Sequence, residues 1–253
     1  MITQDFTVGR NAEIDVHIQS GRVEIKTGDA GHIRVEVETD DPEFLVEQRG
    51  DLIYISSDKN KSWVARGPAY VVVELPEGAD AAVGTASAKI ECNGSLGRVV
   101  AKTASGEIEI DMAESVVIKT ASGDAKVRSV TKDFKISSAS GDASVESCGG
   151  KTNFSAASGD IRIGVCSGNV SASTASGDVS IDLFTGARAN FKSMSGTASV
   201  GVPAGTRLNL DATLMSGQMN LPKPSSDTPA SERQMSIKAK LISGDLTIKR
   251  VEA

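Results

Sequence analysis

Thr103-Ala104-Ser105-Gly106-Glu107, Thr120-Ala121-Ser122-Gly123-Asp124, Ser138-Ala139-Ser140-Gly141-Asp142, Ala156-Ala157-Ser158-Gly159-Asp160 and Thr174-Ala175-Ser176-Gly177-Asp178 are five copies of one phrase at a spacing of about 18 residues. The series starts from a variant at Ala88 and loosens after Gly177 to Gly196, Gly217 and Gly244. Self-similarity at a fixed short period marks repeat architectures, so this phrase decides the fold. Counting from the glycine, the positions seven before (Val99, Val116, Phe134, Thr152, Val170) and five before (Ala101, Ile118, Ile136, Phe154, Ala172) form mostly apolar columns. Two after (Ile108, Ala125, Ala143, Ile161, Val179) and four after (Ile110, Val127, Val145, Ile163, Ile181) the apolar character returns. A spacing of two within each segment is strand alternation.

Each repeat therefore holds two strands of about five residues, one on either side of the Ala-Ser-Gly corner, with a second turn about eight residues beyond the glycine. So small a unit cannot bury its own face. Laying copies about 4.8 Å apart pairs their backbones and merges the columns into one narrow core. The expected fold is an all-β β-helix, or β-solenoid, with 18-residue coils. An antiparallel β-meander with Ser-Gly hairpins also gives two strands per period, but it does not demand matching columns. At the corner, glycine provides positive φ or close backbone approach, and the alanine two before it is expected to fill a tight bend.

Outward from the array, residues 1–80 lack the repeat but alternate like strands, as in Glu13-Ile14-Asp15-Val16-His17-Ile18 and Tyr70-Val71-Val72-Val73-Glu74-Leu75. They read as a β-rich cap, with Thr27-Gly28-Asp29 as a degenerate corner. Residues 81–221 form the regular array, 222–236 a polar Pro/Ser loop and 237–253 the final coil. The composition agrees. Aromatics are 4% and the apolar fraction is 39%, which suits a thin core of Val, Ile and Ala better than a bulky one.

The motif and the leader ending Val73-Glu74-Leu75-Pro76-Glu77-Gly78 resemble the bacterial β-strand-repeat family of unknown function known by the label "putative adhesin". The resemblance covers roughly residues 10 to 250. It implies a right-handed β-helix-like fold and, in some members, a link to the cell envelope. It implies no catalytic residues.

Net charge is −6 at pH 7, and no Lys/Arg stripe is present to neutralise phosphates, which argues against nucleic acid. Neither a signal sequence nor an apolar run long enough to span a bilayer occurs, so the chain reads as cytoplasmic, with envelope association only through a partner. Three cysteines are too few and odd for a disulfide framework. No cofactor is expected.

Glu107, Asp124, Asp142, Asp160 and Asp178 form an acidic column one after the glycine. In water, neighbours at this spacing repel by about 0.9 kcal/mol, so the row must be solvated, paired or metal-bound. Calcium is the sharp reading; the plainer one is that the carboxylates serve the turn and face water. Lys102, Lys119, Lys192 and Lys240, four before the glycine, are available as counter-ions. Cys148 and Cys166 share one register as stacked neighbours and read as a buried free pair, with a redox-sensitive disulfide as the alternative. His17 and His32 lack ligand partners. Trp63, in a polar loop, and Tyr70 are the interaction candidates. Together these features favour a non-enzymatic structural or protein-interaction scaffold, bound to a protein partner or to itself, over a calcium- or carbohydrate-binding or carbohydrate-active β-helix.

Overall fold

The computed structural model describes residues 1–57, 67–222 and 234–252. Those residues form 23 strands, with no helix among them, so the fold is all-β. They divide into two compact units, Met1–Ser129 and Val130–Ala253.

In the second unit the strands are β12 (Phe134–Ser140), β13 (Ala143–Cys148), β14 (Thr152–Ser158), β15 (Ile161–Cys166), β16 (Val170–Ser176), β17 (Val179–Phe184), β18 (Arg188–Ser195) and β19 (Ala198–Pro203). After them come β20 (Arg207–Ser216), β21 (Met219–Asn220), β22 (Gln234–Ser243) and β23 (Leu246–Val251). Successive repeats pair in parallel and in register: Ala143 lies opposite Ile161, which lies opposite Val179, and Phe134 lies opposite Thr152, which lies opposite Val170. The antiparallel meander is thereby overturned. Buried Ile161, Ile163, Val179 and Ile181 come from one set of strands and Phe134, Phe154, Ala172 and Phe191 from the other. Each fully buried Ile or Phe is worth about 1.5–3 kcal/mol. One pair of rings meets in this core, Phe134 edge-on to Phe154 at 5.3 Å between centroids.

The last repeats are not stacked in chain order. β18 pairs with β22, and β22 in turn with β20; likewise β19 pairs with β23 and β23 with β21. Residues 234–251 thus lie between the repeats 188–203 and 207–220. Their columns still match, with Ile237 between Ala189 and Leu210.

The first unit comprises β1 (Ile2–Thr7), β2 (Glu13–Ile18), β3 (Gly21–Gly28), β4 (His32–Thr39), β5 (Leu45–Arg49), β6 (Leu52–Ser56), β7 (Ala69–Pro76), β8 (Asp80–Thr85), β9 (Lys89–Thr103), β10 (Ile108–Thr120) and all but the last residue of β11 (Ala125–Val130). Here too the order is exchanged: β2 lies between β6 and β8, and β3 between β7 and β9, all in parallel. Antiparallel pairs β1–β4, β4–β7 and β5–β6 border them.

Three expectations change. Thr27 and Gly28 do not form a corner; they continue β3 opposite Leu75 and Pro76. The leader's corner is Gln19-Ser20-Gly21, where Gly21 has φ +113° and the Gln19 carbonyl accepts from Ala86 and Ser87 N–H, as the Ala86 carbonyl does from Ala104 and Ser105. The second turn of the repeat is absent from β9 and β10, which run on unbroken; β10 instead shifts register between Ile110 and Met112, a bulge that bends a strand without ending it. Finally, the alanine two before the glycine fills no tight bend. Ala104, Ala121, Ala139, Ala157 and Ala175 are all exposed, and Met194, Ile242 and Met215 hold the same register with 59%, 49% and 78% of their surface exposed.

Candidate functional site

The acidic column is built into the backbone of the second unit. Asp142 Oδ1 accepts from Asp160 N–H at 2.8 Å, Asp160 Oδ1 from Asp178 N–H at 3.0 Å, and Asp178 Oδ1 from Thr197 N–H at 2.7 Å. Each carboxylate thus caps an amide of the next repeat, a charge-assisted bond stronger than a neutral one. Arg162 adds an ion pair to Asp160 at 2.8 Å. Asp245, which the sequence reading did not include, does the same for Gln218 N–H at 2.8 Å.

In the first unit Glu107 is held by Lys126 at 2.7 Å and by Lys89 at 3.5 Å, and Lys126 foremost holds its carboxyl below the usual glutamate range. Lys89 also takes Glu91 at 2.8 Å and Glu109 at 3.0 Å. Burial works against ionising Glu91, but Lys89 and Arg22 outweigh it and lower its pKa. Among the described residues, no group of three or more His, Cys, Asp or Glu is arranged to hold a metal ion.

The lysines expected to neutralise this row stand elsewhere. Lys102 lies beside Lys119 across β9 and β10, and Lys192 beside Lys240 across β18 and β22. Each pair lines an open groove within its own unit: Lys102 and Lys119 line one of about 600 Å³ with His17, Thr85 and Thr120, and Lys192 and Lys240 line one of about 730 Å³. Among the described residues, neither groove is lined by a carboxylate.

The two grooves differ at their corners. In the first unit Gly106 N–H donates to Thr103 Oγ1 and Gly123 N–H to Thr120 Oγ1, both at 2.8 Å; a Cβ on Gly123 would lie 2.0 Å from the Gly106 carbonyl oxygen. In the second unit Gly177 turns to φ +137° and its N–H donates to the Ser195 carbonyl at 3.2 Å. The hydroxyls of Ser138, Thr174 and Ser193, at the register of Thr103 and Thr120, are buried without a hydrogen-bond partner. Such a group costs about 1–3 kcal/mol.

Cys148 lies opposite Cys166. Both are buried and unbridged, as is Cys92. Contact with Cys148 and burial push the Cys166 thiol up, and burial raises Cys92 to about 12; buried protonated thiols are poor nucleophiles. Tyr70 is exposed on β7. Trp63 lies outside the described residues. His17 pairs with Asp15 at 2.9 Å and faces Tyr54, which carries Arg49 over its ring at 4.7 Å. The sequence reading missed Tyr54, and it missed the exposed Met194, Ile242 and Met215. Their signal was present: carried past Ala175, the alanine column turns large.

A family model for the Toastrack DUF4097 domain matches residues 11–252. The chain belongs to that family. Solved structures that match include a "putative adhesin" from Bacteroides fragilis (14% identity, 99% of this chain and 96% of that chain covered, TM-score 0.48). Another, from Parabacteroides distasonis, has 14% identity, the same coverage and a TM-score of 0.46. No curated protein matches this Toastrack sequence.

Proposed function

We propose that this Toastrack chain is a non-enzymatic interaction module, a rigid right-handed β-solenoid of 18-residue coils whose faces and ends bind another protein, a further copy of itself or envelope material. One observation carries the reading: in-register parallel pairing joins repeat to repeat, as from Ala143 through Ile161 to Val179. Such nearest-neighbour stacking resists bending and leaves extended faces for partners. Residues 1–80 serve as the cap and 81–221 as the array, and 222–236 link it to the coil 237–253, last in the chain, whose first strand already begins at Gln234. Trp63 and Tyr70 are the first contacts we assign to a partner. An odd and small number of cysteines, three in 253 residues, favours a reducing, cytoplasmic setting, with the envelope reached through the partner. Cys148 and Cys166 are the pair that oxidation would join.

Affinity capture from native cells tests this, with Tyr70→Ala and Trp63→Ala as controls. A partner that is captured by the parent chain and lost from both variants is the expected result. Calorimetric titration with calcium and a glycan screen run beside it; tight binding of either by the Glu107, Asp124, Asp142, Asp160, Asp178 row overturns the reading in favour of a calcium- or carbohydrate-binding β-helix.

A further inference from the structure

The repeat 207–220 ends the stack of the second unit, and it is not built like an end. Among the described residues β20 pairs with β22 alone and β21 with β23 alone, so one edge of β20 presents its backbone N–H and C=O groups unpaired. The core columns surface there. Met235, Ile237, Ala239 and Leu241 on β22 and Leu246 and Ile248 on β23 are at most 2% exposed, whereas Leu208, Leu210 and Leu214 on β20 are only half-buried, and Met219 and Leu221 are 41% and 49% exposed. A terminal repeat ordinarily carries a polar outer face, and a free edge is ordinarily blunted by a proline, a bulge or an inward-pointing charge. β20 has none of these along its ten residues. Residues 223–233 bring no apolar side chain beyond two prolines and one alanine, so the sequence that follows supplies no counterpart for the leucines. The first unit is closed differently: antiparallel pairs border its parallel strands, and Val8 and Phe44 are buried.

We propose that this end is an interface between two copies of the chain, joined end to end with β20 of one antiparallel to β20 of the other. The inference rests on the interaction-module reading and names one partner for it. Charge complementarity selects the occupant, because β20 matches itself. Its outer row runs Arg207, Asn209, Asp211, with opposite signs four residues apart. Arg207 has no ion pair among the described residues, and Asp211 meets Lys238 at 2.8 Å with 64% of its side chain still exposed. Reversed about Leu210, the strand sets Leu210 opposite its own copy, Leu208 opposite Ala212 and Asn209 opposite Asp211. Arg207 then stands one step diagonal to the Asp211 carboxylate of the other copy, within reach of a long side chain. Each Asp211 thus receives an amide and a guanidinium, while the inward leucines close over one another. A contact of this symmetry is satisfied by a single partner, so the assembly is a closed dimer and not a fibre. The paired stretch is short, which puts the interface at the small end for specific complexes and its dissociation in the micromolar range.

The test is sedimentation velocity of the full chain from about 1 to about 300 μM, with amide hydrogen exchange on β20 read alongside. A monomer–dimer equilibrium is expected, and the β20 amides that point away from β22 should gain protection as concentration rises. Leu210→Lys should abolish the dimer. Arg207→Asp and Asp211→Arg should each weaken it at least about tenfold by bringing like charges together. An equimolar mixture of those two variants should form a heterodimer about as tight as the parent dimer, because each supplies the charge that the other lacks. That rescue depends on the two strands meeting, and a loss of folding in either variant would not produce it. Tyr70→Ala should leave the equilibrium unchanged. The proposal is overturned by a chain that stays monomeric throughout, by association that continues past the dimer, or by a mixture that associates no more tightly than either variant alone. A monomeric chain that still captures a protein through Tyr70 and Trp63 loses this inference alone; one that dimerises through β20 and captures no other protein loses those two contacts and keeps the dimer.

Discussion

Thr103-Ala104-Ser105-Gly106 and Thr174-Ala175-Ser176-Gly177 are the same four residues, folded into two different corners. In the first, the threonine hydroxyl accepts the glycine N–H at 2.8 Å. In the second, the glycine swings to φ +137° and gives its N–H to Ser195 of the next repeat, leaving the threonine hydroxyl idle. Local sequence does not choose between them. The choice lies in how the next repeat is placed, because an N–H has one proton to donate and whichever acceptor is better aligned takes it.

The sharpest way to break the second corner is Gly177→Val. A Cβ there would lie 2.2 Å from the Gly159 carbonyl oxygen, on a backbone that β-branched residues avoid; a loss of about 4 kcal/mol or more is expected in chemical denaturation. Ile163→Asp should cost a comparable or slightly smaller amount by burying a charge in a column that has no partner for it.

The most telling pair is smaller. Thr103→Val removes the acceptor of a buried N–H and should destabilise by about 1–2 kcal/mol, whereas Thr174→Val removes only an unpartnered hydroxyl and should be neutral or stabilising by up to about 1 kcal/mol. Equal effects in thermal melts would mean that the two corners are one.

Acid should distinguish the units as well. Glu91 and Glu107 have lowered pKa values in the fold, so their contribution is complete above the ordinary glutamate pKa of about 4.3. It is lost as pH falls through the depressed values. Lys89→Met should flatten the decline of first-unit stability below about pH 4.5, as followed by amide exchange. Least of all, Asp160→Asn keeps an oxygen for Asp178 N–H and gives up mainly the exposed Arg162 pair, a change within about 0.5 kcal/mol.

The columns were legible because period-two burial repeats at fixed spacing: Val99, Ile118, Ile163 and Ile181 are all buried where the alternation puts them. The carboxylates were legible as a row, though their service to the next repeat's amides required the pairing itself. Stacking order was not legible. Ile237 fits its column equally well between Ala189 and Leu210 or beyond both, since in-register repeats are interchangeable neighbours. The alanine column misled because small residues suit a cramped bend and an exposed flat face alike, and only Met194, Met215 and Ile242 separate the two.

The exchange of repeats at the end of the chain bears on how the protein is made. β20 and β21 find their parallel partners in β22 and β23, which the ribosome delivers afterwards. Residues 207–220 therefore reach their native partners only once residues 234–251 have emerged, and that repeat enters like a keystone between the two courses on either side of it. Vectorial assembly, the usual advantage of a linear array, is broken here, so a chain cut before Gln234 loses, besides residues 234–251, the native partner of the repeat before them, which must find another face to stack on.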